Sequence, residues 1–365
     1  MFEGNLSLKL GNFQLDSGPF AFHSEGVTAL FGRSGSGKST LLRAMAGLDR
    51  RTRGSLRYHD EVWQDGRRAL PAERRDIGMV FQHAALLANR SVRGNLAFAE
   101  QRAPRDRGPA IDRNEIIERT GIGPLLDRSV ANLSGGERQR LAIARALIGR
   151  PRVLMVDEPL AALDWRAKAE LLDLFESVIH DFGIPTILIT HAPLEVERLA
   201  DRVVFMDAGR VERVESLRAA LDRVDSPLFT EEGPVASLTG HVEPITDEPR
   251  RLRFVTTPQT NDGQPVIFQL GTDGNSIGRG PRRLRVRADD VALARKRIDG
   301  ISMQNQLPAR IERIETTGPG RKAVFLTLND GQRLVSEVTD RAVADMGLDA
   351  GQGVTALVKS AALLR

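Results

Sequence analysis

The sequence of 365 residues contains no cysteine, which excludes a disulfide framework and a zinc site built from cysteine. No apolar run approaches the roughly 20 residues of a membrane span, and no signal peptide is visible. The length and the 41% hydrophobic content favour a cytoplasmic protein of at least two domains.

Aromatic residues make up only 5% of the chain, and lysine is rare beside arginine. The net charge of +4 is small, and the arginines are spread along the sequence rather than clustered. A surface that follows a phosphate backbone needs a basic patch, so we expect no nucleic-acid partner. The six lysines stand at positions 9, 38, 168, 296, 322 and 359.

A glycine-rich segment separates an apolar strand pattern at Gly26–Gly32 from a helical pattern at Ser39–Leu48. Glycines in this context let backbone N–H groups surround phosphate oxygens at a helix N-terminus. Lys38 is expected to reach the β- and γ-phosphates, and the hydroxyl of Ser39 to bind Mg²⁺. The alternative is an ordinary glycine-rich turn. The predicted nucleotide-binding residues are Gly32, Arg33, Ser34, Gly35, Ser36, Gly37, Lys38, Ser39 and Thr40.

A second short apolar run, Val153–Pro159, ends in two acids and a proline. Buried residues on both faces are typical of a central parallel strand, whose carboxyl end would point at the phosphates. Asp157 is then expected to hold Mg²⁺, and Glu158 to polarise the attacking water. Such a pair more often starts a helix, but the preceding phosphate loop favours the functional interpretation.

Polar residues also follow the strand patterns Ile77–Gln82 and Thr186–His191. Gln82 offers an amide oxygen to Mg²⁺, and His191 offers a hydrogen bond to the γ-phosphate. A lone histidine after a strand is more often a surface or core residue. Asp164 precedes a helical pattern from Trp165 to Asp181 and is also explained as an N-cap.

The segment Leu133–Arg138 reads Leu-Ser-Gly-Gly-Glu-Arg and opens another helical pattern. Its glycines expose free N–H groups at a helix N-terminus, which favour a phosphate. The residues expected to meet this phosphate are Ser134, Gly135, Gly136 and Glu137.

In this order, the motifs resemble the nucleotide-binding domain of ABC transporter ATPases over about the first 220 residues. The motifs that carry the resemblance are Walker A (Gly32–Ser39), the Q-loop (Gln82), the signature (Leu133–Glu137), Walker B (Leu154–Glu158), the D-loop (Ala162–Asp164) and the H-loop (His191).

The resemblance implies a phosphate-loop α/β fold, with ATP and Mg²⁺ as cofactors. It implies that Ser39, Gln82 and Asp157 hold the metal, and that Lys38, Gln82, Glu158 and His191 are catalytic. It also implies a head-to-tail homodimer, in which each ATP lies between Walker A of one chain and the signature residues of the other. Hydrolysis should then require dimerisation.

Two residues depart from the family pattern. Relatives usually stack adenine on an N-terminal aromatic residue, often tyrosine, where this chain offers Phe13. Phe13 is equally well explained as a core residue of an alternating strand, Leu6–Leu15. Ala161 stands where many relatives have serine.

Between the Q-loop and the signature, helical patterns with polar faces indicate a helical subdomain at about 84–148, with an Asp112/Glu115 capping pair. By the same resemblance, His83–Asn95 would contact the membrane subunit. The alternative is a plain surface helix hairpin.

The C-terminal third favours a small all-β domain, because strand patterns alternate with short glycine-containing and aspartate-containing turns. We expect the ATPase domain at 1–225, a linker at 226–238 and a β-rich domain at 239–365. The last part, about 299–365, resembles the OB-like molybdate-binding barrel of molybdate-importer ATPases.

In free molybdate-binding modules, segments at matching positions supply hydrogen bonds to the oxyanion. Ser302, Lys359 and Ser360 fall on those positions, but Gln304 replaces an arginine and removes a fixed positive charge. A packing or dimerisation barrel is therefore an equal alternative.

Together these features predict the ATP-hydrolysing subunit of a bacterial molybdate importer, peripheral to the cytoplasmic face of the inner membrane. Its expected partners are a second copy, two membrane permease subunits and, indirectly, a periplasmic molybdate-binding protein. The alternatives are an importer of sulfate, ferric iron, a polyamine or a sugar, a molybdate-binding or storage module, and a DNA-repair or translation ATPase.

Overall fold

The structure, a computed structural model, describes residues 1–23, 25–104, 111–161, 163–229, 233–245, 251–271, 282–359 and 361–363. The chain divides into two compact units, residues 1–217 and 218–364. Within the described ranges, no helix combines the length and the apolar character needed to cross a membrane.

The first unit is an α/β structure. Its strands are β1 (Phe2–Leu10), β2 (Phe13–Phe22), β3 (Val27–Phe31), β4 (Arg53–Tyr58), β5 (Glu61–Asp65), β6 (Arg68–Ala69), β7 (Ile77–Val80), β8 (Val153–Asp157), β9 (Thr186–Thr190), β10 (Arg202–Asp207) and β11 (Arg210–Ser216). Its helices are α1 (Lys38–Met45), α2 (Val92–Glu100), α3 (Arg113–Thr120), α4 (Gly135–Ile148), α5 (Trp165–Phe182) and α6 (Pro193–Leu199), and α7 (Leu217–Leu221) spans the division between the units.

An antiparallel sheet in the order β2-β1-β4-β5-β6 is one of the two sheets of this unit. β1 and β2 form a hairpin in which Leu10 pairs with Phe13. The expected single strand Leu6–Leu15 is therefore wrong. Gly11 adopts the left-handed conformation with φ of 57°, which reverses the chain between the two strands.

The second sheet has the order β11-β10-β3-β9-β8-β7, and all its neighbouring pairs are parallel except the β10–β11 hairpin. The strands β3 and β9 are buried along their full length, as expected for the central strands of a parallel sheet. The predicted strand–loop–helix arrangement around the phosphate loop is confirmed by β3 and α1.

Helix α1 packs between the two sheets. Its residues Leu41, Leu42 and Met45 belong to the same buried cluster as Phe2 of the antiparallel sheet and Met155 of the parallel sheet. The helix that starts at the phosphate loop is thus held on both sides by apolar side chains.

Arg75 fixes the opposite end of α1. Its guanidinium is fully buried and donates hydrogen bonds to the carbonyl oxygens of Met45, Trp63 and Leu70. Burial lowers the pKa of Arg75 to about 10. The side chain therefore satisfies a carbonyl group in the last turn of α1 and joins it to the antiparallel sheet.

The helices α2, α3 and α4 lie within the range expected for the helical subdomain. Asp112 caps α3 as predicted, since its carboxylate accepts hydrogen bonds from the N–H groups of Asn114 and Glu115. Helix α3 ends at Thr120, because Gly121 takes the left-handed conformation with φ of 65°.

The second unit is built mainly of strands, which confirms the predicted all-β C-terminal domain. Its elements are β12 (Val235–Pro244), β13 (Arg251–Thr256), β14 (Ile267–Gly271), β15 (Arg282–Arg287), β16 (Val291–Ala294), β17 (Asn305–Gly318), β18 (Arg321–Leu328), β19 (Arg333–Thr339), α8 (Asp340–Met346), β20 (Gly353–Val358) and β21 (Ala362–Leu363). The strands form two sheets of five, in the orders β14-β13-β12-β15-β21 and β16-β20-β17-β18-β19. One buried cluster contains side chains of both sheets, including Phe254, Phe268 and Phe325.

The domain boundaries differ from the expected ones. The first unit ends at residue 217 rather than 225, and the range 226–238 contains a 3₁₀ turn at Pro227–Phe229 and the start of β12. Leu228 and Phe229 are buried, so the described start of this range is not an exposed linker. The barrel was expected to begin near residue 299, but the sheet formed by this part of the chain also includes β16, which begins at Val291.

Replacing Arg75 by methionine should destabilise the protein, because three carbonyl groups each lose a hydrogen bond from the buried guanidinium. We expect a loss of about 2–4 kcal/mol, which lowers the melting temperature by roughly 4–16 °C. Thermal unfolding followed by circular dichroism measures this change. The exposed neighbour Arg74 provides the control, and Arg74→Met should leave the melting temperature nearly unchanged. Equal melting temperatures for both variants would contradict the role of Arg75.

Candidate functional site

The candidate site lies at the carboxyl edge of the parallel sheet. In the register of this sheet, Phe31 pairs with Thr190, and Asp157 pairs with Ile189. The residues that follow β3, β8 and β9 therefore emerge side by side at one edge. This is the position at which open α/β sheets bind their ligands.

The phosphate loop is packed too tightly for side chains at two of its glycines. A methyl group on Gly37 would lie 2.8 Å from Cζ of Phe13, and Gly37 has φ of 99°. A methyl group on Gly32 would lie 2.2 Å from the carbonyl oxygen of Met206. Phe13 thus contacts the loop, where its role in stacking adenine stays a prediction.

Lys38 is the first residue of α1, and its side chain folds back over the loop. Its Nζ donates hydrogen bonds to the carbonyl oxygens of Gly32, at 2.7 Å, and Arg33, at 3.0 Å. Burial lowers the pKa of Lys38, while Glu158 and Asp157 act in the opposite direction. A buried cation at this point favours an anionic ligand.

The buried hydroxyl of Ser36 also lies in this loop, and it has no hydrogen-bond partner among the described residues. The remaining predicted loop residues differ in exposure. Arg33, Ser34 and Gly35 are exposed, whereas Ser39 and Thr40 are partly buried.

Ser39 and Asp157, the two predicted metal ligands of the phosphate loop and Walker B, are in contact. The hydroxyl of Ser39 donates to Oδ1 of Asp157 at 2.8 Å. Burial raises the pKa of Asp157, and the hydrogen bond from Ser39 only partly offsets this effect. An ionised carboxylate is therefore disfavoured at this position unless a cation approaches it.

Glu158 and His191, two of the predicted catalytic residues, are also in contact. Nδ1 of His191 lies 3.3 Å from Oε1 of Glu158. Glu158 adopts the left-handed region with φ of 42°, which is uncommon for a residue with a side chain. Its backbone N–H donates to the carbonyl oxygen of Ile189 at 3.2 Å, which holds the turn in place. Strained backbone of this kind concentrates at functional sites.

Gln82 lies after β7, and Asp164 lies before α5. The strand β7 ends at Val80, so Gln82 follows it by two residues and is exposed rather than ending the strand. The carboxylate of Asp164 caps α5 by accepting hydrogen bonds from the N–H groups of Arg166 and Ala167. Ala162 lies outside the described residues.

Ser134 begins α4, and the signature forms a capping box. Oγ of Ser134 accepts from the N–H of Glu137, whose carboxylate accepts from the N–H of Ser134 at 2.7 Å. These bonds lower the pKa of Glu137. Ser134 and Gly135 are exposed, so their polar groups face outward. A methyl group on Gly135 would lie 3.5 Å from Cδ2 of Leu163.

The sequence interpretation missed Gly209, which supports the phosphate loop from β10. Its N–H donates to the carbonyl oxygen of Ser36 at 2.9 Å. A methyl group there would lie 2.4 Å from the carbonyl oxygen of Gln14. The Asp-Ala-Gly sequence between β10 and β11 was the available signal, but only the folded chain brings it to the loop.

The predicted oxyanion residues lie in the second unit. Ser302 and Lys359 are exposed, as is Gln304, and Ser360 lies outside the described residues. The backbone N–H of Lys359 donates to the carbonyl oxygen of Asp290 at 2.9 Å, which fixes the backbone beside its side chain.

Two family profiles match the chain. The profile described as ABC transporter matches residues 15–161, and the TOBE domain profile matches residues 301–364. Among solved structures, a dimeric, post-hydrolysis structure of the ATP-binding cassette MJ0796 with ADP and phosphate is 25% identical, with a TM-score of 0.50, covering 60% of this chain and 99% of that one. CbiO1 of Clostridium perfringens is 27% identical, with a TM-score of 0.51, covering 61% and 90%.

Curated relatives match both units together. The molybdenum import ATP-binding protein ModC of Methylococcus capsulatus is 42% identical, over 93% of this chain and 92% of the relative. The ModC proteins of Aromatoleum aromaticum and Rhodobacter capsulatus are 41% and 40% identical, over 97% and 100% of this chain and 91% and 98% of their own lengths.

These similarities extend over nearly the full length and confirm the family resemblance carried by the six motifs. The chain belongs to the family of ModC molybdenum import ATP-binding proteins, ABC-type ATPases with a C-terminal TOBE domain.

Proposed function

We propose that this protein hydrolyses ATP to drive molybdate import, as a homodimer bound to two permease subunits at the cytoplasmic face of the inner membrane. A periplasmic molybdate-binding protein would deliver the solute to those permease subunits. The observation that carries the ATPase part is the pairing of Ser39 with Asp157 and of Glu158 with His191 at one sheet edge. The full-length similarity to ModC proteins supports molybdate as the solute.

The phosphate loop suits a triphosphate. Backbone N–H groups at the start of α1 have no side-chain cap, since Gly37 occupies the N-cap position. The free hydroxyl of Ser36 and the ammonium of Lys38 add a donor and a positive charge. A phosphate would accept all these hydrogen bonds, and the helix dipole would favour its charge.

A magnesium ion fits the pair formed by Ser39 and Asp157. Hydroxyl and carboxylate oxygens are the ligands that this ion prefers, and Gln82 offers a further oxygen at the same edge. The bound ion would neutralise charge on the β- and γ-phosphates. It would also stabilise the ionised form of Asp157, which burial otherwise disfavours.

Hydrolysis is assigned to Glu158 and His191. The carboxylate of Glu158 accepts a proton from water, whose oxygen attacks the γ-phosphorus as the bond to the bridging oxygen of ADP breaks. The products are ADP and inorganic phosphate. The imidazole of His191 contacts the carboxylate of Glu158 through Nδ1 and would contact the γ-phosphate through its other ring nitrogen.

The signature turn is assigned to the ATP of the partner chain. The exposed groups of Ser134 and Gly135 lie at the start of α4, beside Leu163 and the first turn of α5. Within this face, Trp165 is 78% exposed. A large exposed aromatic side chain beside an exposed helix N-terminus is typical of a surface that a partner covers.

Replacing Glu158 by glutamine should abolish turnover and preserve ATP binding, because an amide cannot accept the proton. We expect ATPase activity to fall about 100-fold or more. The variant should form an ATP-dependent dimer, measured by light scattering. The exposed Glu118 supplies the control, since Glu118→Gln should retain normal turnover. Undiminished turnover in Glu158→Gln would remove this residue from its role.

Trp165 provides an optical readout of the same dimer. The chain has two tryptophans, and Trp63 is fully buried, so a change in exposure is reported by Trp165. In the Glu158→Gln variant, ATP should shift the emission to shorter wavelength, whereas ADP should not. Dimerisation without a shift would mean that the partner leaves Trp165 uncovered.

Replacing Asp157 by asparagine should raise the melting temperature of the nucleotide-free protein at neutral pH. Burial raises the pKa of Asp157, so folding favours the protonated form, and ionisation above the unfolded pKa costs stability. The gain in melting temperature should shrink as the pH falls toward the pKa of this carboxyl group in the unfolded chain. Mg²⁺ with ATP should stabilise the variant less than the unmodified protein. The exposed Asp60, changed to asparagine, serves as control.

The solute is tested by uptake in cells that lack their own molybdate importer and express this chain with its permease. Radiolabelled molybdate should accumulate, and excess unlabelled sulfate should compete weakly. Lys38→Ala should abolish accumulation, because ATP binding is lost. Preferred uptake of sulfate, or of no oxyanion, would contradict molybdate import while leaving the ATPase assignment intact.

A further inference from the structure

The hydroxyl of Thr190, the residue before His191, bonds to two residues that follow His191. Thr190 is the last residue of β9 and is buried. Its Oγ1 accepts a hydrogen bond from the N–H of Ala192 at 3.0 Å, and donates its own proton to Oε2 of Glu195 at 2.6 Å. A single hydroxyl group thereby links the residue before His191 to the chain that follows it.

Glu195 determines the direction of that hydroxyl proton. A carboxylate only accepts hydrogen bonds, so the proton of Thr190 points toward Glu195 and leaves a lone pair for Ala192. Glu195 lies in the first turn of α6 and is 4% exposed. A buried carboxylate requires a charged or hydrogen-bonding partner on its second oxygen.

Lys168 is that partner. Its Nζ lies 2.8 Å from Oε1 of Glu195, and it belongs to the first turn of α5. The backbone N–H of Lys168 donates to the carbonyl oxygen of Asp164, the residue that caps this helix. The chain of contacts therefore runs from the start of α5 through Glu195 and Thr190 to the turn of His191.

The first turn of α5 also touches the signature. A methyl group on Gly136 would lie 3.7 Å from Cβ of Ala167, the residue before Lys168. A single short segment thus contacts the turn assigned to the partner's ATP and, through Lys168, the turn that carries His191. Both contacts lie within the first unit.

We propose that Thr190, Glu195 and Lys168 form a positioning network, which holds His191 against Glu158 and ties the His191 turn to the first turn of α5. This inference rests on the proposed ATPase function. The three residues touch neither nucleotide nor water in the reaction. They act through His191, whose Nδ1 must stay near Oε1 of Glu158. Misplacement of a catalytic group by about 1 Å is sufficient to slow turnover strongly.

A second ionic link joins the same two helices without reaching His191. Nη2 of Arg198, on α6, lies 2.8 Å from Oε2 of Glu176 on α5. It holds α6 on α5 as Lys168 does, but farther along both helices. Comparison of the two links separates general packing of α6 from control of the His191 turn.

The central experiment replaces Thr190 by valine, which keeps the shape and removes the hydroxyl. We expect kcat to fall about 10-fold to 100-fold, with KM for ATP changed less than about 3-fold. Thr190→Ser should restore kcat, because serine keeps the hydroxyl. The matched control is Thr186→Val, at the other end of β9, whose buried hydroxyl donates to the carbonyl oxygen of Ile184. This control should keep kcat within about 2-fold.

The ionic part of the network is tested by Lys168→Met and Glu195→Gln. Each should lower kcat about 10-fold, whereas Lys168→Arg and the control Glu176→Gln should retain it. The double variant Lys168→Met, Glu195→Gln should be no slower than Glu195→Gln alone, because both changes interrupt the same chain of contacts. Additive losses in the double variant would argue against a shared path.

A test for action through His191 uses the His191→Ala background. Single-turnover hydrolysis should be equally slow with and without Thr190→Val, since the group that Thr190 positions is already missing. A further loss there, or normal kcat in Thr190→Val, would overturn the inference. Absence of ATPase activity in the unmodified protein would instead overturn the proposed function, so the two failures are distinguishable.

Discussion

The parallel register of β3, β9 and β8 is the constraint on which the site depends. Phe31 pairs with Thr190, and Asp157 with Ile189, so three chain segments leave the sheet at the same height. The Ser39–Asp157 and Glu158–His191 contacts follow from that alignment. Because side chains alternate along a strand, a shift of one residue would turn Asp157 to the opposite face of the sheet.

Burial of ionisable side chains changes their pKa values at this edge of the sheet. Burial lowers the pKa of Lys38 and raises that of Asp157, so both charged forms are held at a cost when no ligand is bound. A magnesium ion and a triphosphate would supply the missing counter-charges. The site is in this sense prepared for its ligands, and part of their binding energy offsets the cost of burying these two groups.

Around the site, buried polar side chains fix the elements that carry it. Arg75 joins the carbonyl group of Met45, at the end of α1, to those of Trp63 and Leu70, and Glu195 connects the His191 turn with α5. Such groups are costly to bury without hydrogen-bonding or charged partners. The partners that they find indicate that the positions of α1, α5 and α6 are specified by polar contacts as well as by apolar packing.

Local sequence signals were sufficient for much of the fold. Glycine spacing, apolar runs and caps predicted β3, α1, β8 and the capped start of α5, because their determinants lie within a few residues of each other. The same signals failed at the first hairpin, where one glycine decided the outcome. Gly11 divides the expected strand Leu6–Leu15.

By itself, then, the sequence determined the family, the order of the motifs and the chemical groups available at the strand ends. Tertiary structure alone decided which of these groups touch, and which distant residues support them. Gly209 contacts the phosphate loop only because β10 pairs with β3 in the sheet. Lys168 contacts Glu195 only because α6 packs on α5. Contacts between residues far apart in the chain depend on strand order and helix docking, which no local pattern encodes.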